Sequence, residues 1–156
     1  MAPMIHSSVP PNALHIVVPE TGLNILGFRM PAFIGPDANR LRRLTWEWLL
    51  EASDYLRDKP AVIAGDFNTA VGDRSSKCGD CFGLLEQRGW VHARPESGCS
   101  WRHNGGSERS IDHAFLTPAL AGWHSEYSWS FRDRSPEAAM SKVGVPDHAM
   151  LIVTTD

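Results

Sequence analysis

The chain has 156 residues, 42% apolar and 21% charged, with a formal net charge of −3, which is the size and composition of one globular domain. Six Trp and six Phe supply core material that a disordered chain lacks, and the negative balance argues against a dedicated wrapper of duplex DNA, which needs a cationic surface. No run approaches the roughly 20 apolar residues of a membrane helix, Met1 to Pro11 lacks the basic start and apolar middle of a signal peptide, and three cysteines cannot form a closed disulfide framework, so a reducing, cytoplasmic setting is expected.

Residues 1–12 read as a flexible leader. Ala13-Leu-His-Ile-Val-Val18 and Leu23-Asn-Ile-Leu-Gly-Phe28 flank Pro19-Glu-Thr-Gly22 and predict a β-hairpin. Asp37 to Asp58 predicts a helix, with Asp37 as N-cap and a stop at Lys59-Pro60. Leu41, Leu44, Trp48, Ala52 and Leu56 (or Tyr55) share its apolar face by spacing. Arg42, Arg43, Glu47, Glu51 and Asp54 fall mostly on the other, and Arg40, Arg42 and Arg43 read as a solvated face. Trp46 and Trp48 read as core and rim rather than a base-stacking platform.

Ala61-Val-Ile-Ala64 predicts a strand buried on both faces and runs into Gly65-Asp-Phe-Asn68. A polar loop follows from Thr69 to Gly79, then a short helix from Phe82 to Arg88 closed by Gly89. Ser100-Trp-Arg102 and Ser110 to Leu116 flank Asn104-Gly105-Gly106 and predict a second hairpin. Trp123 to Phe131 alternates as a half-exposed strand, Arg132 to Gly144 reads as a loop, and His148 to Val153 is a final strand. The mixture of elements is an α/β or α+β class.

Three polar clusters stand beside apolar runs: Gly65-Asp66-Phe67-Asn68, Ile111-Asp112-His113 and Pro146-Asp147-His148. Acidic groups at such places are costly unless paired or bound to metal. Aspartates and an Asn amide are hard oxygen ligands suited to Mg²⁺ or Mn²⁺, and an Asp–His pair holds an imidazole in one tautomer. Such a set fits hydrolysis of a phosphate ester. Taken singly, each cluster is read equally well as a turn or strand cap.

The ordered set Ala61-Val-Ile-Ala-Gly-Asp-Phe-Asn-Thr69, Ser110-Ile-Asp-His-Ala-Phe115 and Val145-Pro-Asp-His-Ala149 resembles the endonuclease/exonuclease/phosphatase superfamily. That superfamily includes pancreatic-type deoxyribonuclease, exonuclease III-like abasic-site endonucleases, sphingomyelinases and inositol polyphosphate 5-phosphatases. The resemblance implies part of a four-layer α/β/β/α sandwich with mainly antiparallel or mixed sheets. It also implies a Mg²⁺-dependent (or Mn²⁺-dependent) phosphoesterase, a phosphodiesterase or nuclease. By resemblance, Asp66 orients or deprotonates water and lies near the metal, and Asn68 bonds the phosphate. Asp147 joins the metal site, His148 contacts the phosphate and Asp112 orients His148. The general base stays open between Asp66 and the Asp112–His148 pair.

The family's N-terminal Trp-Asn strand and metal-binding Glu are not found, and Glu20 in its turn is no replacement. Residues 13–156 therefore read as the C-terminal part of such a domain, N-terminally truncated. Arg29 stands where the family has a catalytic His or equivalent, as a phosphate ligand or a surface residue. The partners expected are a phosphate-ester substrate, nucleic acid among the candidates, and no membrane. A second copy or a separately encoded chain would cover the missing half. The second functional reading is an impaired relative that serves as a binding or assembly module.

Cys78-x-x-Cys81 with Cys99 and His103 permits a zinc reading, but the spacing around a strand favours small free thiols. His113 alternates with Asp112 and so faces away from it, into packing or surface. His6, His15, His92 and His124 have no evident partner in the sequence.

Overall fold

The computed structural model describes residues 12–32, 34–103, 106–130 and 148–155. The leader over residues 1–11, the loop from 132 to 144, Phe131, Asn104-Gly105 and Asp147 lie outside the described residues.

The chain runs β1 (Ala13–Val18), β2 (Leu23–Arg29), α1 (Ala38–Leu56), β3 (Ala61–Asp66), α2 (Cys81–Gln87), β4 (Val91–Ala93), β5 (Trp101–Arg102), β6 (Glu108–Arg109), β7 (Asp112–Leu116), β8 (His124–Ser128) and β9 (Met150–Thr154), with short 3-10 turns at Ser75–Lys77 and Pro118–Leu120. The main sheet has the order β1-β2-β3-β7-β4. It is mixed: β2 and β3 are parallel across the α1 crossover, and the other pairs are antiparallel. β3 is the central strand, and Ala61, Val62 and Ile63 are buried, as their continuous apolar run predicts. Gly65 is required at its end, because a Cβ there would lie 1.9 Å from the Phe28 carbonyl oxygen of the neighbouring strand.

Alternation along the strands builds a core on each face. Leu26, Phe28, Ile63 and Phe115 face the helices and pack with Trp46, Leu49, Leu56, Phe82 and Leu85. Val62, Ala114 and Leu116 face the other way, against Leu151 and Val153 of the β8–β9 antiparallel pair. The described residues thus supply a helix layer, a five-stranded sheet and part of a second sheet. The β1 half of the inner face is open. Leu14 and Ile16, in register with Gly27 and Ile25, are 62% and 45% exposed. No helix among the described residues is long and apolar enough to cross a membrane.

Three expectations need correction. α1 is turned relative to its predicted face: Leu41 and Leu44 are exposed, whereas Arg42, Thr45, Leu49, Ala52, Ser53 and Leu56 are buried, and Trp46 and Trp48 are both buried. Arg42 is not solvated. Only 1% exposed, it donates to Pro31 O at 2.6 Å, to Phe67 O and Lys77 O at 3.4 Å each, and to Thr69 Oγ1. The loops after β2 and β3 bring carbonyls inward, and a five-donor guanidinium satisfies several at once. The second hairpin pairs β5 with β6 alone. β7 leaves it after Ser110 to pair with β3 and β4. The short strand β4 had no distinct pattern in sequence.

His113 is buried toward the helices, and it is joined there by His92. Its Nε2 lies 2.9 Å from Thr69 O, an acceptor, so Nε2 carries the proton and Nδ1 accepts from His92 Nε2 at 3.2 Å. His92 Nδ1 in turn accepts from Arg94 Nε at 2.9 Å. Both rings are therefore neutral. Burial, then the neighbouring His113 imidazole and the Arg94 charge, hold His92 down at about 3, and burial lowers His113.

Two outcomes follow from these buried polar groups. Arg42→Ala strips donors from three carbonyls and a hydroxyl and is expected to cost about 3 kcal/mol in urea denaturation; a change under about 0.5 kcal/mol contradicts the role given to it. For His92 the folded-state pKa is depressed, so its stabilisation is complete above the ordinary value of about 6.5 and is lost as pH falls from there toward about 3. The expected slope is about 1.4 kcal/mol per pH unit for each such histidine. His92→Gln, which keeps a donor toward His113, flattens the profile; an unchanged slope contradicts the assignment.

Candidate active site

The polar motif after β3 is fixed by the aromatic residue inside it. Phe67 is fully buried. Its ring lies 4.7 Å from Phe28, 5.4 Å from Phe82 and 5.6 Å from Trp46, centroid to centroid. With Phe67 held toward the helices, Asp66 before it takes the opposite, inner face with Val62 and Ala64. Asn68 after it adopts a left-handed backbone, φ 50°, which suits Asn better than most residues.

Asp66 and Asp112 are direct register partners across β3 and β7, and side chains so paired stand side by side on one face. His148 arrives from the second sheet. Its backbone bridges Trp101, and Ala149 N–H donates to Ser100 O at 2.7 Å. His148 Nδ1 then lies 2.8 Å from Asp112 Oδ2, so the carboxylate accepts the Nδ1 proton and Nε2 is the nitrogen that Asp112 does not hold. One ligand atom from each of Asp66, Asp112 and His148 lies within 4.8 Å of the others.

Asp66 is braced on both oxygens. Oδ1 accepts the Asn68 backbone N–H at 2.8 Å, and Oδ2 lies 3.2 Å from Asn68 Nδ2 and 3.3 Å from Arg29 Nε. Asn68 Nδ2 also donates to Met30 O at 2.8 Å. Burial raises the Asp66 pKa, and the Asp112 charge adds to that rise; the Asn68 N–H, His148 and Arg29 oppose it. Two half-buried carboxylates facing each other with oxygen and imidazole donors suit a hard divalent cation, which relieves their repulsion. Arg29 ends β2 opposite Asp66, and its side chain is 66% exposed, open to an anion.

The fold therefore brings together Asp66, Asn68, Asp112, His148 and Arg29, drawn from four separate stretches of chain. Asp147 lies outside the described residues. Glu20 is in the turn at the opposite end of the hairpin from Arg29. Among the described residues, Cys78, Cys81, Cys99 and His103 do not gather their ligand atoms as a zinc site would. Cys78 and Cys81 pack beside the helix-side core, while Cys99 is buried with its carbonyl on Trp129 Nε1.

Supporting residues had weaker signals. Ser100, fully buried, accepts the Ile111 and Asp112 N–H groups on Oγ at 2.8 and 2.9 Å, so one serine anchors both Asp112 and, through its carbonyl, the His148 segment. Tyr127 Oη donates to Asp112 O at 2.7 Å. A hydroxyl beside a Trp, or a Tyr on an alternating strand, does not announce such a role in sequence.

Solved structures share this arrangement of chain. A 3'-5' exonuclease from Neisseria meningitidis matches at TM-score 0.70 and 18% identity over 93% of this chain. An AP endonuclease from Archaeoglobus fulgidus matches at TM-score 0.70 and 14% identity over the same share. The chain spans 65% of the length of each. A mannosyl-6-phosphatase from Bacteroides thetaiotaomicron matches at TM-score 0.51 and 20% identity, over 90% of this chain and 54% of that one. No curated protein matches the sequence. The model of the Endonuclease/Exonuclease/phosphatase family matches residues 6–141, and the chain belongs to that family.

Proposed function

We propose that the chain forms the catalytic centre of a divalent-metal-dependent phosphoesterase, acting on a phosphodiester, with nucleic acid as the favoured substrate class. The observation that carries this reading is the convergence of Asp66, Asp112 and the Asp112-bound His148 within 4.8 Å. Asp66, with Asp147 by family resemblance, would hold Mg²⁺ or Mn²⁺, which supplies charge compensation for the phosphate. The chain's own groups do the rest. Asp66 orients a water in line with the phosphorus. Asp112 fixes His148 so that Nε2 meets the phosphate oxygen or the attacking water. Arg29 offers its exposed guanidinium to a non-bridging oxygen. Asn68 braces Asp66 and turns its amide to the phosphate when Asp66 engages a cation.

A second reading has its own support: the metal-candidate group among the described residues contains no glutamate. On that reading the chain is an impaired relative that binds a partner. The open inner half of the sheet bears on both readings. β1 is an edge strand with Leu14, Ile16 and Val17 exposed and no charged residue along it, the kind of edge that pairs with another chain. A second copy pairing there is the proposed cover.

The catalytic reading is tested on bis-p-nitrophenyl phosphate with Mg²⁺ and Mn²⁺. Asp66→Ala and His148→Ala are each expected to lower kcat by about 10²-fold or more. Activity that survives both substitutions removes the mechanism, and a parent that neither turns over nor binds metal supports the impaired relative. For the edge, light scattering at micromolar concentration is expected to give twice the chain mass, with Ile16→Lys monomeric. A monodisperse parent monomer excludes the second copy.

A further inference from the structure

The loop leading into α2 ends in Cys78-Gly79-Asp80-Cys81, a dithiol that the phosphoesterase site does not use. The chain turns tightly there, with Cys81 N–H donating to Cys78 O at 3.1 Å. Such a turn brings its end Cα atoms within about 7 Å, near the span a disulfide bridges. The two thiols lie in one another's electrostatic field, and both are half-buried rather than sealed. Gly79 lets the turn pack against the preceding loop, because a Cβ there would lie 1.9 Å from Asp73 O. Cys78 takes a left-handed backbone, φ 59°, shared among the described non-glycine residues only with Asn68. The buried Arg42 guanidinium stands near the Cys78 sulfur.

We propose that Cys78 and Cys81 are a reversible redox pair that exchanges with small-molecule disulfides, closing a Cys78–Cys81 bond beside the Phe67–Thr69 turn. Cys78 thiolate attacks one sulfur of glutathione disulfide; that S–S bond breaks, and one glutathione thiolate leaves. Cys81 then gives its proton to water, and its sulfur attacks Cys78, expelling the second glutathione. Two protein thiols are oxidised to one disulfide, and one glutathione disulfide is reduced to two thiols. Burial and then the neighbouring Cys78 push the Cys81 thiol up to about 12; once Cys78 is in the mixed disulfide, its charge no longer opposes the second step.

The pair is linked to the site by Arg42, which also donates to Phe67 O and Thr69 Oγ1, while Thr69 Oγ1 donates to Lys77 O at 2.9 Å. Closing the disulfide moves the sulfur that stands near Arg42 and loosens that turn.

The test uses the full chain, incubated with glutathione disulfide, alkylated, and read by peptide mass spectrometry. Cys78 and Cys81 are expected to escape alkylation together, in one peptide lighter by two hydrogens, with Cys99 untouched and dithiothreitol restoring both thiols. Cys81→Ser is expected to stop at a glutathione adduct on Cys78. Amide exchange over residues 67–69 is expected to rise severalfold in the oxidised parent and to return on reduction. Unchanged alkylation, or a Cys78 adduct that persists in the parent, overturns the pair. Unchanged exchange over 67–69 overturns its link to the site. Neither readout depends on hydrolytic activity.

Discussion

Burial of Phe67 is the constraint from which the rest of the site follows. The ring is enclosed by Phe28, Trp46, Phe82 and Phe115, a set drawn from both helices and two strands. Burying a Phe side chain is worth about 1.5–3 kcal/mol, and edge-to-face neighbours add to it. Because side chains alternate along a strand, placing Phe67 toward the helices commits Asp66 to the opposite face, where the two sheets meet. Core packing and site geometry are therefore one arrangement rather than two.

The polar residues then organise in steps outward from that point. The β3–β7 register sets Asp112 beside Asp66, and Ser100 pins the start of β7 and the approach of His148. Arg42 supports the turn from below, and the His92–His113 chain reaches Thr69 O from the other side. The cost is carried by Asp66, whose charge is disfavoured by burial and by Asp112. A site that concentrates unfavourable charge in a well-packed frame is suited to binding a cation and an anion together.

Much of this was legible in the sequence, for physical reasons. The continuous apolar run of β3 marked a strand buried on both faces, and the β1–β2 turn carried Pro and Gly at the right spacing. Asp66, Asn68, Asp112 and His148 each sit in one of the three polar clusters and lie together in the fold, whereas Asp147 is outside the described residues and Arg29 belongs to none of the clusters. What escaped were features set by tertiary demand. Spacing along α1 put Leu41 and Leu44 inside and Arg42 outside; the loops' carbonyls reversed this, because only a guanidinium could satisfy them in place. Ser100, Tyr127 and His92 act through contacts with residues 11 to 21 positions away, and no local pattern encodes those. β7 was placed correctly, but as the partner of the wrong strand, since the Asn104-Gly105-Gly106 turn signal belongs to the short β5–β6 pair.

The central claim is that Asp66, Asp112 and His148 form one cation-assisted phosphoester centre. Titration of Mn²⁺ into isotopically labelled protein tests it most directly, because paramagnetic broadening reports the ion's position residue by residue. Saturable broadening centred on Asp66, Asn68, Asp112 and His148, and abolished by Asp66→Asn, is the predicted result. Broadening that is uniform over the surface, or centred elsewhere in the fold, would contradict the account.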